Sequence, residues 1–287
     1  MVLVNLMGGL GNQAFQYATG RSLSLKLNTV FKLDHSFLEA DTKGQYTQRH
    51  YELDVFKGPQ ERANTDDLVQ VAKARKRGLL SKLFSGSKIT VFSESGFPYN
   101  AAIEAVTGDV YLNGFWQSEK YFKGIRQTLL HDFSLKVPLS PEAGRLKEEI
   151  KTREQAVSLH FRRGDYVNLS SASAFHGVAG PDYYRQALEL ISARIENPAY
   201  YVFSDEIDWV QQNFPLANAQ YVSGLKGYED LELMKTCRHH VIANSSFSWW
   251  GAWLNDNAQK MVIAPRNWFK DISVNTTDLI PASWQKI

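Results

Sequence analysis

Two adjacent arginines, Arg162 and Arg163, stand between an apolar run and a glycine in the segment HFRRGDY at residues 160–166. Guanidinium groups bind phosphate oxygens in a bidentate manner, and two of them at one turn are costly to place without an anion. The pattern therefore predicts a phosphate or diphosphate clamp, which would stabilise the charge growing on a departing nucleoside diphosphate. The structural alternative is an ion pair between Arg163 and Asp165.

Carboxylates follow a second apolar run, in the sequence Ser204-Asp205-Glu206. At the end of a strand such carboxylates can accept hydrogen bonds from ribose hydroxyls or from the edge of a guanine base. A helix N-cap formed by Ser204 or Asp205 is the structural alternative. A metal site built on Asp205 and Glu206 is a third reading, for which the sequence shows no further ligand.

A serine-rich turn, NSSFS at residues 244–248, joins a third apolar run to a tryptophan-rich segment. The first amides of a helix have no partner within the helix, so this turn could offer amides and hydroxyls to a phosphate. The alternative is that Ser245 or Ser246 simply caps the helix. Trp249, Trp250 and Trp253 are expected to pack against their own domain rather than to stack on a substrate.

A glycine-rich turn, GGLGNQ at residues 8–13, precedes a helix-like stretch at 14–25. Its glycines would let backbone amides approach a ligand at a helix N-terminus, and Asn12 and Gln13 offer donors and acceptors to sugar hydroxyls. The segment also matches a relaxed dinucleotide fingerprint, with Asp34 in the place of the ribose-binding acid. A sugar site, an NAD(P) site of an oxidoreductase and a tight turn without a ligand are therefore the alternatives.

A long loop at residues 164–180 follows the arginines and consists mostly of small and polar residues. Loops of this length without their own secondary structure are usually functional. The loop contains His176, a residue type that can act as a base near neutral pH. The alternative is that His176 takes no part in catalysis.

The elements that must position these motifs are strands and helices in alternation. Continuous apolar runs are typical of strands buried on both faces of a parallel sheet. Seven such runs lie at residues 2–6, 29–33, 110–112, 156–161, 200–203, 240–243 and 261–264. A helix with one apolar face is expected to begin at Pro181 and to stop at Asn197-Pro198. This alternation predicts an α/β doubly wound architecture, in which ligands bind at the carboxyl ends of the strands.

A polar, proline-containing stretch at residues 136–154 divides the chain of 287 residues near its middle. The length suits two small domains. We therefore expect two α/β domains, residues 1–148 and 149–287, with a ligand cleft between them.

Composition excludes several classes of protein. With 32 basic and 30 acidic residues the net charge is +2, which disfavours a nucleic-acid binder. Cys237 is the only cysteine, so no internal disulfide can form, and no signal peptide or membrane-spanning run is evident. These features predict a cytoplasmic protein. Residues 73–88 carry six Lys or Arg and no acid, and predict either a solvated segment or weak adhesion to anionic lipid at the inner membrane face.

The motifs together resemble the bacterial α-1,2-fucosyltransferases, glycosyltransferase family 11. The resemblance is carried by HFRRGDY, SDE, NSSFSWWGAWL at residues 244–254 and GGLGNQ. It implies two Rossmann-like domains of the GT-B type, the N-terminal one on the acceptor side and the C-terminal one binding GDP-L-fucose. It further implies a reaction without metal or cofactor that inverts the anomeric centre. Fucose would pass to the 2-hydroxyl of a terminal β-galactose on an oligosaccharide or lipid-linked glycan.

The resemblance also implies roles for individual residues. The residues that it implies for donor binding are His160, Arg162, Arg163, Ser204, Asp205, Glu206, Asn244, Ser245, Ser246, Phe247 and Ser248. Acceptor binding falls to Gly9, Gly11, Asn12, Gln13 and Tyr166. Arg162, Asp165 and His176 are the expected catalytic residues. Because Ser170 stands where some related fucosyltransferases have a glutamate, the base is Asp165, His176 or the leaving diphosphate itself.

Overall fold

The chain folds as two compact units in a computed structural model. The structure describes residues 1–41, 47–77, 89–164 and 179–287. Unit 1 comprises residues 1–136 and 277–279, and unit 2 comprises residues 137–276 and 280–287. Both units contain a parallel sheet with connecting helices, so the predicted α/β class with parallel sheets is confirmed.

Unit 1 is built on four parallel strands in the order β2-β1-β4-β3. The strands are Val2–Asn5 (β1), Phe31–Asp34 (β2), Ile89–Ser93 (β3) and Asp109–Asn113 (β4). The helices are Leu10–Lys26 (α1), Ser36–Glu39 (α2), Thr65–Arg77 (α3) and Arg126–Asp132 (α4), with 3₁₀ turns at Ala101–Ala105, Glu119–Tyr121 and Lys123–Ile125. Every residue of β1 is buried, as expected for a strand covered on both faces.

Unit 2 is built on six parallel strands in the order β10-β9-β8-β5-β6-β7. The strands are Ala156–Phe161 (β5), Ala199–Ser204 (β6), Ala219–Val222 (β7), His239–Val241 (β8), Val262–Ala264 (β9) and Gln285–Lys286 (β10). The helices are Pro141–Thr152 (α5), Pro181–Ser192 (α6), Ile207–Asn213 (α7), Gly227–Thr236 (α8) and Ser246–Leu254 (α9). The strand β5 that precedes the two arginines is buried throughout its length.

The seven apolar runs are all strands, which confirms that part of the sequence analysis. Three strands were missed, β3, β7 and β10, and each of them lies at the edge of its sheet. Most residues of β3 and β7 are only partly buried or exposed, and β10 has two residues, too few to form a run. An edge strand lacks the double-sided burial that makes a central strand continuously apolar.

The division between the units follows Lys136, whereas the sequence analysis placed it after residue 148. The reason is α5, whose residues Leu146 and Ile150 pack into one core with Tyr201 and Phe203 of β6. The Ser140 hydroxyl accepts a hydrogen bond from the amide of Ala143 and caps this helix. The polar stretch is therefore largely a helix of unit 2 rather than a linker.

Helix α6 begins at Pro181 as predicted but ends at Ser192, before the expected stop. Beyond it the amides of Arg194 and Ile195 still bond to the carbonyl of Ile191 in a turn, and Ile195 stays in the core. Residues 73–77 of the basic segment lie in α3, and residues 78–88 lie outside the described residues. Within the described part of the chain no helix is both long enough and apolar enough to span a membrane.

Close packing of α1 on the sheet of unit 1 depends on Gly20. A Cβ atom at this position would lie 2.2 Å from Cγ2 of Val4 and 2.7 Å from Cε2 of Phe31. Any side chain would therefore push the helix away from β1 and β2.

Replacing Gly20 by alanine should lower the free energy of unfolding by about 1–3 kcal/mol, because overpacking outweighs the helix propensity of alanine. Gly144→Ala is the matched control, since Gly144 lies in α5 with no atom within 4 Å of the added Cβ. That variant should gain about 0.5–1 kcal/mol. Urea unfolding midpoints measure both effects. Equal stabilities of the two variants would contradict this account of α1.

Candidate active site

The pairing of β5 with β6 sets the arginines opposite the acids. The two strands are parallel neighbours whose last residues lie opposite each other, so the residues that follow meet at the carboxyl edge of the sheet. Nη1 of Arg162 lies 2.8 Å from Oδ2 of Asp205, and Nε of Arg163 lies 3.1 Å from Oε2 of Glu206. The cluster pairs two positive with two negative side chains. The carboxylate oxygens face guanidinium groups, which argues against the reading of this acidic pair as a metal site.

Arg163 is fixed from three sides. Besides its ion pair, its amide donates to Oδ1 of Asp205 at 3.0 Å, and its guanidinium carbon lies 3.3 Å from the ring centre of Trp209 in α7. Gly164 lies close beside it: a Cβ there would lie 2.7 Å from Oδ2 of Asp205, so a side chain would displace this carboxylate. The alternative partner of Arg163, Asp165, lies outside the described residues.

The Ser204 hydroxyl accepts a hydrogen bond from the amide of Glu206 at 3.0 Å. The residue that precedes α7 is Glu206 itself, and its side chain makes no capping bond. The predicted alternative, a helix N-cap by Ser204 or Asp205, is therefore wrong. Ser204 closes a local turn that presents Asp205 to the arginines.

His160 is a neutral ring at this edge. Burial lowers its pKa to about 3, with the nearby Asp205 opposing and Arg162 reinforcing the shift. Its Nδ1 has no hydrogen-bond partner among the described residues, and its carbonyl accepts a bond from the Tyr184 hydroxyl at 3.0 Å. The His160 ring is therefore uncharged near neutral pH.

The serine turn lies on the other side of β5, because β8 is its second neighbour in the sheet. Ser245 precedes α9, yet its side chain makes no capping bond, contrary to the structural alternative. Ser248 donates to the carbonyl of Ser245 at 3.3 Å, and Nδ2 of Asn244 donates to the carbonyl of Trp268 at 3.1 Å. The ring of Phe247 lies 5.9 Å from that of His160, which links the turn to the end of β5.

The three tryptophans of α9 are buried, as predicted. The rings of Trp249 and Trp250 meet edge to face at 5.2 Å, and Trp250 and Trp253 do the same. They fix α9 behind the serine turn and are not presented to a ligand.

The sequence analysis missed Asp230. This residue lies in the first turn of α8, which follows the carboxyl end of β7 at the same edge of the sheet. Burial, assisted by the charge of Glu229, raises the pKa of Asp230 to about 7. Its Oδ1 is buried without a partner among the described residues, and such an acceptor gains from a ligand that donates a hydrogen bond.

No sequence signal separates Asp230 from Glu229. Acids in the first turn of a helix are ordinary, since they favour its positive end. In the structure the Glu229 carboxylate is occupied, accepting from the amides of Ser140 at 2.6 Å and Lys226 at 3.1 Å. Only the packing shows that Asp230 keeps a carboxylate oxygen without a donor in the described part of the chain.

The glycine-rich turn of unit 1 is held by Gln13. This side chain is buried, and its Nε2 donates to the carbonyls of Gly8 at 2.8 Å and His50 at 2.7 Å, while its Oε1 accepts from the amide of Glu52 at 3.0 Å. Gln13 therefore ties residues 50–52 to the turn. This differs from the expectation that Gln13 reaches a sugar.

The other residues expected on the acceptor side have mixed surroundings. Oδ1 of Asn12 accepts from Nε2 of Gln117 at 2.9 Å, and Asn12 stays half-buried. Gly9 precedes α1 and is half-buried, whereas Gly11 is buried. Tyr166, like Asp165, Ser170 and His176, lies outside the described residues.

Asp34, the acid on which the dinucleotide alternative depends, is bonded within the protein. Asp34 is buried, and its Oδ2 accepts from the Tyr111 hydroxyl at 2.7 Å while its Oδ1 accepts from the amide of Ser36 at 2.9 Å. Both oxygens are thus used within the protein. A ribose-binding role for Asp34 is wrong, and with it the NAD(P) oxidoreductase reading loses its main support.

Comparisons with known proteins agree with these motifs. Residues 95–287 match the family described as Glycosyl transferase family 11. The alpha-1,2-colitosyltransferase of Escherichia coli is 32% identical, and the alignment covers 100% of this chain and 99% of that protein. The O-antigen biosynthesis glycosyltransferase WbnK of Escherichia coli is 32% identical over 97% of this chain and 98% of that protein.

More distant relatives cover less of the chain or show weaker likeness. The galactoside alpha-(1,2)-fucosyltransferase 1 of Homo sapiens is 28% identical over 50% of this chain and 42% of that protein. The solved NodZ alpha-1,6-fucosyltransferase, co-crystallized with GDP, has 13% identity and a TM-score of 0.48, covering 88% of this chain and 91% of that one. The family match and the full-length relatives decide the question: the chain belongs to glycosyl transferase family 11.

Proposed function

We propose that the protein is a galactoside α-1,2-fucosyltransferase, which transfers L-fucose from GDP-L-fucose to the 2-hydroxyl of a terminal β-galactose. The observation that carries the proposal is the set of paired arginines beside the serine turn at one sheet edge of unit 2. Membership of family 11 supports glycosyl transfer, and the relatives named for α-1,2 transfer support the linkage. In this proposal the units are the Rossmann-like halves of a cytoplasmic GT-B enzyme.

The diphosphate of the donor binds between Arg162 and the N-terminus of α9. Asp205 holds the Arg162 guanidinium in one orientation before the ligand arrives, and a preorganised donor stabilises developing charge without reorganisation. The Ser245 hydroxyl, which caps no helix, and the Ser246 amide face the same anion. Arg163, stacked on Trp209, is a positioning residue that holds Asp205 through its backbone amide.

In the transfer step the bond between C1 of fucose and the β-phosphate oxygen breaks, and its electron pair goes to the diphosphate. The galactose 2-hydroxyl oxygen attacks C1 from the opposite face, which inverts the anomeric configuration. Arg162 stabilises the charge on the leaving group. The hydroxyl proton goes to Asp165, to His176 or to the diphosphate, and these remain the three alternatives. The guanidinium groups supply the positive charge, so the proposal requires no metal or cofactor.

Arg162→Ala should reduce kcat by about 100- to 1000-fold, because it removes a fixed donor to the departing diphosphate. Arg185→Ala is the matched control: it deletes an exposed arginine of α6 whose partner is Asp182 and should leave turnover unchanged. Steady-state rates with GDP-fucose measure the effect, and the circular dichroism spectrum checks that both variants are folded. Near-wild-type turnover of folded Arg162→Ala would refute the clamp.

Asp230 is proposed to accept hydrogen bonds from the N1 and N2 donors of guanine. Because the pKa of the Asp230 carboxyl is raised from 3.8 to about 7, this group ionises as the pH rises through 7, and the ionised form is the stronger acceptor. GDP affinity should therefore increase from pH 6 to pH 8, as isothermal titration can measure.

Asp230→Asn should weaken GDP binding and remove the part of the pH dependence that comes from this carboxyl. Titration of the GDP phosphate persists in the variant and so provides an internal reference. Asp208→Asn, at an exposed acid in α7, is the matched control and should behave as wild type. An Asp230→Asn protein with the wild-type pH profile would show that this carboxylate does not contact the base.

A colitosyltransferase is the second candidate, favoured by the full-length relative with that name. Colitose is fucose without its 3-hydroxyl, so the two donors differ by one hydrogen-bonding group. A site that bonds this hydroxyl rejects the deoxy sugar strongly, whereas an apolar site hardly discriminates.

The function is tested by supplying GDP-fucose and GDP-colitose with lactose, N-acetyllactosamine and β-galactosyl O-antigen fragments. We expect faster turnover with GDP-fucose and an α-1,2 linkage by NMR. EDTA in a parallel series should leave the rate unchanged. Preference for GDP-colitose would favour the second candidate. Loss of activity in EDTA would show that the reaction requires a metal ion.

A further inference from the structure

The start of α7 contacts the side chain of Arg163 from two directions. Nε of this arginine lies 3.1 Å from Oε2 of Glu206, and its guanidinium carbon lies 3.3 Å from the ring centre of Trp209. Glu206 directly precedes α7 and Trp209 lies in its first turn, three residues further on, a spacing that places two side chains on one side of a helical turn. The carboxylate and the indole ring together form a guanidinium socket, which suits the planar group of an arginine.

Two arginines and two acids are neighbours in this cluster, so two different pairings satisfy the charges. In the structure Arg162 pairs with Asp205, whereas Arg163 lies in the guanidinium socket. The exchanged pairing, in which each arginine faces the other acid, keeps the same number of ion pairs. Charge alone therefore does not select between two arrangements that point Arg162 in different directions.

The indole ring of Trp209 supplies the selection that the ion pairs lack. The four charged side chains are 19–28% exposed, and ion pairs with such access to water contribute little to stability. The face of an aromatic ring attracts the cation that lies over it, and here that cation is Arg163. The stacking contact is thus made only in the observed pairing and favours it over the exchanged one.

Asp205 transmits this selection to Arg162. Its Oδ1 accepts from the amide of Arg163 at 3.0 Å, and its Oδ2 lies 2.8 Å from Nη1 of Arg162. An Arg163 side chain that left the guanidinium socket would compete with Arg162 for this carboxylate, which belongs to the residue next to Glu206. The ring of Trp209 prevents that competition.

We infer that Trp209 is a positioning residue for Arg162. It keeps Arg163 in the guanidinium socket and thereby leaves Asp205 to orient the Arg162 guanidinium. The inference rests on the proposed function, in which Arg162 stabilises the departing diphosphate. Because tryptophan carries no charge, its contribution to the reaction is one of geometry alone.

The test compares Trp209→Leu with Trp209→Phe. Leucine keeps an apolar side chain against the core of unit 2, where Trp209 also packs, but it removes the aromatic face that phenylalanine keeps. The kcat with GDP-fucose should fall about tenfold in Trp209→Leu and at most about threefold in Trp209→Phe. The effect should appear in kcat more than in KM, because Arg162 acts on charge that develops in the transition state.

A double variant separates positioning from general damage to the fold. Because Trp209 acts through Arg162, adding Trp209→Leu to Arg162→Ala should change the residual rate by less than about twofold. A merely structural role would lower the rate by the same factor in both backgrounds, and that result would overturn the inference. Wild-type kcat in Trp209→Leu would also overturn it.

Tyr99→Leu is the matched control. It removes another aromatic ring that faces a cation, since Nζ of Lys120 lies 6.0 Å from the Tyr99 ring centre in unit 1. Because this ring contacts neither arginine of the cluster, the kcat and KM of the variant should equal those of the wild type.

NMR without any nucleotide separates this inference from the proposed function. A guanidinium held in one orientation rotates slowly about its Nε–Cζ bond and gives separate Nη signals. The Arg162 signals, assigned with Arg162→Lys, should be separate in wild type and in Trp209→Phe but averaged in Trp209→Leu. Averaged signals in the wild type, or unchanged signals in Trp209→Leu, would overturn the inference and leave a fucosyltransferase standing. Signals that depend on Trp209 in a protein that does not use GDP-fucose would support the inference and refute the donor assignment.

Discussion

The position of β5 between β6 and β8 is the constraint on which the candidate site depends. Parallel hydrogen bonding brings the carboxyl ends of these three strands to one edge, although their motifs lie about forty residues apart in the chain. Backbone pairing, rather than any side-chain contact, thus brings HFRRG, SDE and NSSFS together. Their order at the edge follows the strand order, with the arginines in the middle. A one-residue shift of β5 against β6 would move Arg162 away from Asp205.

Ion pairs with Asp205 and Glu206 explain how two arginines can lie side by side at this edge. Asp205 pairs with Arg162 and also accepts the amide of Arg163, and the absence of a side chain at Gly164 lets it come this close. Such pairs contribute little to stability when partly exposed. Their effect is to hold the guanidinium groups in one orientation, which in the proposed function aligns the donors for a diphosphate. Asp205, which the sequence analysis expected to bind substrate, therefore orients the two arginines in the structure.

The sequence predicts those features that local pattern determines. Central strands are apolar on both faces, so all six of them are evident, together with the edge strand β2, and the helix start at Pro181 follows from proline chemistry. The unpredicted features depend on partners far along the chain. Asp34 is satisfied by Tyr111, Gln13 by residues 50 and 52, and Glu229 by Ser140. Whether a polar side chain is used inside the protein or left for a ligand is decided by such contacts, and the motif alone does not contain them.

The two sheet edges differ in the polar side chains that they carry, and the proposed function gives that difference a meaning. The edge of unit 2 carries the paired arginines, whereas the edge of unit 1 carries amides bonded to each other, Asn5 to Asn113 and Asn12 to Gln117, both at 2.9 Å. Guanidinium groups suit an anionic leaving group, and amides suit hydroxyls. A nucleotide sugar and a neutral glycan require opposite environments, because a cation that binds diphosphate gives little selectivity among sugar hydroxyls. In the proposed function, separating these environments on two units would let acceptor preference change in unit 1 while the diphosphate clamp of unit 2 stays constant.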